Sequence, residues 1–239
     1  MLPWLAPHSV GFPDPRRALD EPNGLLAAGG ELSPQWLIAA YRRGIFPWYS
    51  QDQPILWWSP DPRLVLFPEE IRIRRSLAKR LRNAGFTITF DQDFEAVINA
   101  CAAVRADAEG TWIGSDMIDA YCRLHRLGHA HSIEVWQNCR LAGGLYGVAL
   151  GRMFFGESMF SHERDASKVA LVHLARHLEA QGGGLIDCQM HTSHLVSLGA
   201  RDIARNEFID YLEQYTAQPA IPWELAASSR ITGGHHREQ

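Results

Sequence analysis

The segment from Ser132 to Gln189 constrains the fold more than any other part of the chain. Its apolar pattern predicts three closely spaced strands, a helix and a further strand, over residues 132–136, 141–148, 153–159, 166–181 and 185–189. Asn138 and Gly151 supply the two turns, so we expect the three strands to form an antiparallel meander. The chain is therefore predicted to be α+β, with strands and helices mixed.

The remaining elements follow from shorter patterns. Alternating or apolar runs predict strands, and periodic runs between polar or glycine residues predict helices. The predicted strands cover 64–67 and 86–90, and the predicted helices cover 74–83, 94–104, 116–127, 192–198 and 206–214. Ser115 stands where the cap of the helix over 116–127 is expected.

The first quarter of the chain differs in composition from the rest. Residues 1–62 hold 10 of the 13 prolines and 5 of the 8 tryptophans, and they contain one clear helix, over 35–43. We expect a small, loop-rich N-terminal domain over 1–62, a larger domain over 63–225 and a flexible tail over 226–239. Three antiparallel strands, a helix and another strand form the core of the GNAT-type acyltransferase fold, so the larger domain is predicted to be GNAT-like.

Overall composition excludes some classes of protein. The chain is 46% hydrophobic and 21% charged with a net charge of −4, so a nucleic-acid partner would have to dock on a local basic patch. Four cysteines without C-x-x-C spacing indicate reduced thiols. We find no signal peptide and no apolar run of about 20 residues, and we expect a soluble, cytoplasmic protein without a membrane segment.

Two carboxylates interrupt apolar strands. Glu157 lies within residues 154–161 and Asp187 within 185–189. A carboxylate among such residues is costly to bury unless it is paired or used. Neighbouring strands would bring both acids to the wall of an apolar pocket, where they could position an amine or transfer a proton. Burial of Asp187 away from the pocket, or its separation from Glu157 by the sheet, would count against this interpretation.

Most familiar catalytic motifs are missing from the sequence. It has no nucleophile elbow, no P-loop and no G-x-G-x-x-G fingerprint. The nearest match to a coenzyme A loop, residues 140–145, has the wrong ending and falls within the meander. A coenzyme A donor is therefore not expected, and no other cofactor is expected either.

Histidine and cysteine patterns favour structural roles. The pairs His125/His129 and His173/His177 lack a third ligand, so we interpret them as surface or interface residues and expect no metal. Cys188 could act as a thiol nucleophile, but strand alternation would turn it away from Asp187 towards the core.

A basic stripe and exposed aromatics raise the question of RNA binding. The stripe consists of Arg72, Arg74, Arg75, Lys79, Arg80 and Arg82. A solvated helix face and a surface that contacts phosphates remain equally open. Trp48 and Trp112 could stack on unpaired bases or belong to the core.

Seven blocks of sequence resemble the leucyl/phenylalanyl-tRNA–protein transferase family. In order and with few gaps, over roughly residues 10 to 215, they are EPNGLLA at 21–27, GIFPW at 44–48, WWSPDPR at 57–63, GTWI at 110–113, LGHAHSIEVW at 127–136, FGESMFS at 155–161 and LIDCQ at 185–189. The resemblance implies transfer of Leu, Phe or Met from aminoacyl-tRNA to a protein that begins with Arg or Lys. Such transfer marks the protein for N-degron degradation and requires no coenzyme A, ATP or metal.

The resemblance also implies roles for individual residues. Asp187 and Gln189 match the catalytic strand of the family, and Glu157 matches the acid on the neighbouring strand. We expect Asp187 to receive the acceptor's ammonium, directly or through Gln189, while Glu157 assists or attracts the cationic first side chain. The residues expected to bind the aminoacyl end are Trp48 and Trp112 at the terminal adenosine, and Leu145, Phe154, Ser158 and Leu171 around the amino-acid side chain.

We expect four residues of the basic stripe to bind tRNA, namely Arg74, Arg75, Lys79 and Arg80. Two other functions stay open on the sequence. The chain could be a non-catalytic module that binds tRNA or peptide, although a pure binder would not need the acid pair. It could also be a CoA-dependent N-acetyltransferase, which acetyl-CoA would stabilise against heat.

Overall fold

The computed structural model describes residues 2–50, 52–106 and 113–223, which form two sheets and the helices around them. Within these ranges no helix is long and apolar enough to cross a membrane. The predicted tail over 226–239 lies outside the described residues.

A four-stranded sheet forms in the N-terminal region, where the sequence had indicated only a helix and loops. Its strands, in the spatial order β1-β2-β4-β3, are β1 (Trp4–Leu5), β2 (Leu25–Gly29), β3 (Phe46–Pro47) and β4 (Leu56–Trp58). The predicted helix is confirmed as α1 (Pro34–Tyr41), with Ser33 at its N-cap position. Strands of two to five residues between prolines carry too little periodicity to be recognised in advance.

The second sheet has seven strands in the order β11-β5-β10-β9-β8-β7-β6. Its strands are β5 (Arg63–Leu66), β6 (Thr87–Phe90), β7 (Ala130–Gln137), β8 (Arg140–Leu150), β9 (Met153–Ser161), β10 (Leu185–Gln189) and β11 (Arg201–Ile203). The helices are α2 (Arg75–Asn83), α3 (Phe94–Ala106), α4 (Ser115–Arg126), α5 (Ala166–Ala180), α6 (Ser193–Val196) and α7 (Arg205–Thr216).

The predicted α+β class and the order of the GNAT-type core are confirmed. Strands β7, β8 and β9 form an antiparallel meander, and α5 then carries the chain to β10, which pairs parallel to β9. Two details were wrong. Strand β11 had not been expected, and Ser115 is the first residue of α4 rather than its cap, a position that Gly114 occupies.

Two apolar clusters cover the opposite faces of the large sheet. One contains buried residues of α2 and α5, and the other contains those of α3, α4 and α7. The second cluster continues into the N-terminal sheet, where Phe12, Trp36 and Trp57 pack ring against ring. Burying such aromatics stabilises a small sheet that has few residues of its own. The proposed boundary at residue 62 falls between β4 and β5, and the division into separate domains stays a proposal.

Gly147 lets β8 and β9 approach closely at the centre of the large sheet. A Cβ atom at this position would lie 2.2 Å from the Phe155 carbonyl oxygen and 2.7 Å from the Phe154 ring. The carbonyl oxygen belongs to the backbone of β9, so it cannot move aside without disturbing the sheet.

We predict that Gly147→Ala lowers the free energy of unfolding by about 1–3 kcal/mol, the usual cost of overpacking. Urea denaturation followed by circular dichroism would measure the loss. Gly11→Ala is the matched control, since its added methyl group would meet only the Ser9 carbonyl oxygen, at 4.0 Å. Equal stability of the two variants would contradict the prediction.

Candidate active site

An apolar cavity of about 390 Å³ opens where β9 and β10 part. The parallel pairing of these strands ends at Asp187 and Phe155, and the residues beyond that pair border the cavity. Its apolar lining comes from β3, β8, β9, α5, β10 and α6, namely Phe46, Leu145, Phe154, Met159, Leu171, Leu174, Ile186 and Leu195. A cavity of this size and polarity suits one medium-sized apolar side chain and the groups attached to it.

Two β-bulges create this opening. On β9, Tyr146 pairs with Ser158 and Gly147 with Gly156, so Glu157 is the extra residue. On β10, the register against β5 shifts between Asp187 and Gln189. Bulges interrupt the ladder and redirect side chains. The two predicted acids therefore flank irregular points of adjacent strands.

Asp187 is fully buried in an ion pair with Arg63. The carboxylate accepts two hydrogen bonds of 2.7 Å, from Nε and Nη2 of the guanidinium, and the exposed fractions are 1% for Arg63 and 0% for Asp187. The guanidinium lies over the rings of Phe46 and Phe208, at 4.8 Å and 4.7 Å. Asp187 is among the residues that line the cavity, but its carboxylate is held by this bidentate pair and has no exposed surface.

Glu157 borders the cavity and is 7% exposed. Tyr41 donates to its Oε1 at 2.6 Å, Tyr121 donates to its Oε2 at 3.0 Å, and Gln189 Nε2 donates to Oε1 at 2.9 Å. The two tyrosine hydroxyls also hydrogen-bond each other. This acid, unlike Asp187, has no cationic partner among the described residues.

The two tyrosines and Glu157 form a triangle of three oxygen contacts. Ionised Glu157 leaves only two hydroxyl protons for these three contacts, because each tyrosine supplies one. A proton on Glu157 would allow all three contacts to be hydrogen bonds at once. The geometry therefore favours the neutral acid when the site is empty.

The pKa of Glu157 follows the same direction. Burial raises it from 4.5 to about 7, against the opposing hydrogen bonds from Tyr41 and Tyr121 and with a smaller contribution from the charge of Asp187. Burial also raises the pKa of both tyrosines well above 10, so their hydroxyls stay protonated. Glu157 can thus exchange a proton near neutral pH.

Gln189 links the two acids. Its backbone N–H donates to Asp187 Oδ1 at 2.9 Å, while its side-chain amide reaches Glu157. Its φ of 63° lies in the left-handed region, which is uncommon for a residue other than glycine. The buried Asp187 therefore holds the backbone that aims the Gln189 amide at Glu157.

The residues predicted to bind the substrate come together at the cavity, apart from one that is not described. Trp48, Leu145, Phe154, Ser158 and Leu171 all border it. Trp112 lies outside the described residues. Trp48 is 37% exposed at the mouth, where its ring packs against the edge of Trp58 and its carbonyl accepts a hydrogen bond from the Trp58 indole.

The four cationic residues predicted to contact tRNA lie on and beside α2, outside the cavity lining. Arg74, Arg75 and Lys79 are exposed. Arg80 is half-buried, donates to the Arg164 carbonyl oxygen at 2.8 Å and lies over the Phe86 ring at 5.2 Å. Three of the four charges are thus free to meet an anionic partner, whereas Arg80 also serves the packing of α2.

Sequence reasoning missed Tyr41, Tyr121 and Arg63. Arg63 is the first residue of a fully buried strand and stands at the end of one of the recognised blocks, which was a usable signal. Tyr41 is the last residue of α1 and Tyr121 lies on the buried face of α4, and nothing in the local pattern separates either from ordinary core residues.

Two predictions about cysteine and histidine need correction. Cys188 packs against the core as expected, yet it also borders the cavity, because the bulge breaks the strict alternation of β10. Burial raises the pKa of its thiol, which disfavours a thiolate nucleophile. His177 is buried rather than on the surface and contacts the Pro222 carbonyl oxygen at 2.8 Å.

The stretch that came nearest to a coenzyme A loop, residues 140–145, lies within strand β8. Backbone amides committed to a sheet ladder cannot cradle a pyrophosphate. Across the described ranges, no group of three or more His, Cys, Asp or Glu side chains is placed to hold a metal ion.

The order of strands and helices in the large sheet is that of the GNAT-type acyltransferase fold. Glu157 lies beside the apolar cavity of this fold. Sequence comparison then identifies the family. The model of the leucyl/phenylalanyl-tRNA protein transferase family matches residues 65–213, and the model of that family's N-terminal domain matches residues 30–61. The chain belongs to this family.

Several curated relatives are similar over nearly their whole length. Leucyl/phenylalanyl-tRNA–protein transferases from Chromohalobacter salexigens and Pseudomonas aeruginosa are 68% and 62% identical, over 96% and 92% of this chain and 90% and 97% of theirs. Among solved structures, a soil metagenomic aminoglycoside acetyltransferase has a TM-score of 0.38 at 11% identity, over 48% of this chain and 85% of its own.

The raised pKa of Glu157 predicts a pH-dependent stability. The folded state binds this proton more tightly than the unfolded state, so the stabilisation is complete below pH 4.5 and is lost as the pH rises through about 7. In Glu157→Gln, the amide mimics the neutral acid and does not titrate. From pH 5 to pH 8, the free energy of unfolding of the variant should therefore rise relative to that of the wild type by on the order of 2–3 kcal/mol. Urea unfolding at both values measures this difference, and a constant difference would contradict it.

Proposed function

We propose that this chain transfers leucine, phenylalanine or methionine from aminoacyl-tRNA to the N-terminal Arg or Lys of an acceptor protein. Membership of the family supports the reaction class. The observation that carries the proposal is the apolar cavity with an ionisable, hydrogen-bonded Glu157 at its wall. Such a cavity can hold an apolar aminoacyl side chain beside a group that accepts a proton from an amine.

The donor side chain fits the apolar end of the cavity. Leu145, Phe154 and Leu171 line that end, and Met159 and Leu174 extend it. Branching at Cβ widens a side chain close to the backbone, so a narrow slot favours Leu, Phe and Met over Ile and Val. The exposed face of Trp48 at the mouth suits stacking with the terminal adenosine.

The acceptor enters as an ammonium and must lose a proton before it can attack. A free α-amine has a pKa of about 7.7–8.0, so most of it is protonated at neutral pH. In our proposal ionised Glu157 takes that proton, and the amine nitrogen attacks the ester carbonyl carbon. The bond from this carbon to the ribose oxygen breaks, and the ribose hydroxyl leaves with the second proton of the amine. Orientation of the two substrates in one cleft supplies much of the remaining rate.

The expected role of Asp187 changes with its burial. Direct reception of the ammonium conflicts with an exposed fraction of 0%. The route through Gln189 remains, because Asp187 holds the Gln189 backbone and Gln189 holds Glu157. We therefore assign Asp187 and its partner Arg63 as positioning residues, and Glu157 and Gln189 as the groups that meet the acceptor.

The tRNA body is proposed to lie along α2. The exposed charges of Arg74, Arg75 and Lys79 can contact phosphates without reading the base sequence. The reaction needs neither coenzyme A nor ATP, since the ester already carries the activation. A cytoplasmic location and a role in N-degron degradation complete the proposal, because aminoacyl-tRNA is the donor.

Substitution of each acid by its amide should separate the roles of Glu157 and Asp187. We expect Glu157→Gln to reduce kcat/KM for transfer of labelled phenylalanine from Phe-tRNA to an Arg-initiated protein by roughly 10²–10⁴, without loss of stability at pH 6. Asp187→Asn should lose activity together with stability, because removal of one partner of a buried ion pair costs about 3–5 kcal/mol. Glu179→Gln, at an exposed position of α5, is the control. Transfer at the normal rate by Glu157→Gln would exclude it as the proton acceptor.

Charge reversal on α2 tests the tRNA path. Arg75→Glu with Lys79→Glu should weaken tRNA binding. It should also make the negative slope of log K against log salt shallower by about 2, one unit for each lost phosphate contact. Arg123→Glu with Arg126→Glu, which are exposed on α4, makes the same change of net charge as a control. Equal affinities in filter binding would restore the solvated-face interpretation.

A further inference from the structure

The last described residues, 221–223, pack against α5 and against rings of β6, β7 and β9. Ile221 is buried in the apolar cluster that also contains α5, and the Pro222 carbonyl oxygen is held by the His177 ring at 2.8 Å. Trp223 follows, and its ring reaches the other side of one cavity wall. We call residues 221–223 the C-terminal strap.

Trp223 packs against four rings. It stacks on His131 with ring centres 4.2 Å apart and planes 9° from parallel, and it contacts Phe154, His177 and Phe90 at 5.4, 5.5 and 6.3 Å. His131 is itself fixed by a 2.7 Å contact with Asp91. Trp223 is thus held by Phe154, which borders the cavity, and by three rings that do not border it.

Phe154 is the wall between Trp223 and the cavity. Its ring is fully buried, borders the cavity and lies so close to Gly147 that a Cβ there would be 2.7 Å away. It cannot move towards β8, because the backbone blocks it. The Trp223 ring does not border the cavity and packs against Phe154 while also contacting rings of β6 and β7. The indole of Trp223 therefore occupies the space into which the Phe154 ring would have to move to leave the cavity wall.

We propose that Trp223 is a specificity-determining residue that sets the depth of the aminoacyl side-chain pocket through Phe154. The inference rests on the proposed function, since it concerns which donor side chain the cavity accepts. With the indole in place, Phe154 closes the pocket at a fixed depth. Without it the ring can retreat, so the pocket accepts bulkier donors better and holds small ones less firmly.

The test measures kcat/KM of the full-length protein for Phe-tRNA and for Leu-tRNA with one Arg-initiated acceptor. We expect Trp223→Ala to raise the Phe/Leu ratio by roughly three- to tenfold, in the range by which pocket size discriminates between side chains. Trp223→Phe keeps an aromatic ring behind Phe154 and should restore most of the wild-type ratio. Trp4→Ala removes an exposed tryptophan from β1 and should leave the ratio unchanged.

A double mutant shows whether the effect passes through Phe154. In a Phe154→Leu background, Trp223→Ala should change the ratio far less than it does alone, because the moving ring is missing. Equal effects in both backgrounds would contradict the proposed route. Should Trp223→Ala fail to fold by circular dichroism, Trp223→Leu, which keeps apolar volume, provides the same comparison with a smaller expected shift.

The outcomes separate this inference from the function beneath it. If the wild type transfers neither amino acid, the proposed function fails. If the wild type transfers both and the folded Trp223 variants keep its ratio, the function stands and the role of Trp223 is wrong. A simple loss of stability would lower both kcat/KM values by the same factor and would likewise overturn the inference.

Discussion

The buried ion pair between Arg63 and Asp187 is the interaction on which the rest of the site depends. It joins β5 to β10, and the rings that enclose its guanidinium come from β3 and α7. Four separate parts of the chain therefore meet at one charge pair. Its desolvation is tolerable because both carboxylate oxygens are hydrogen-bonded and the cation lies between two aromatic faces. Through the Gln189 backbone, the same pair fixes the group that holds Glu157.

The candidate active site is built from both the N-terminal region and the large sheet. Tyr41, at the end of α1, reaches Glu157 in the large sheet, and Phe46 and Trp48 border the cavity from the N-terminal side. Because these residues sit within a shared apolar cluster, the N-terminal region completes the cavity as well as covering the sheet. A change of packing in either region would therefore alter the pKa of the Glu157 carboxyl group.

Much of the large sheet could be predicted because its elements are long and regular. The meander, α5 and β10 follow from alternation, apolar runs and helical periodicity, and Glu157 and Asp187 stood out as charges in apolar strands. The N-terminal sheet and β11 escaped prediction because most of their strands have only two or three residues, and β2 is a run of Leu, Ala and Gly without alternation. The hydrogen-bond partners of the two acids were also not predicted from the sequence. Which arginine or tyrosine reaches a carboxylate depends on contacts between residues 36 to 124 positions apart, and a local pattern holds no such information.

The two bulges imply that the cavity depends on how many residues lie in β9 and β10, and not only on which residues they are. Loss of one residue near Glu157 would let β9 pair continuously with β8, with the following side chains still opposite their present β8 partners but without the extra residue of the bulge. The opening would then close even if all its apolar lining were preserved. A single insertion or deletion at a bulge would therefore change the site even where no lining residue is replaced.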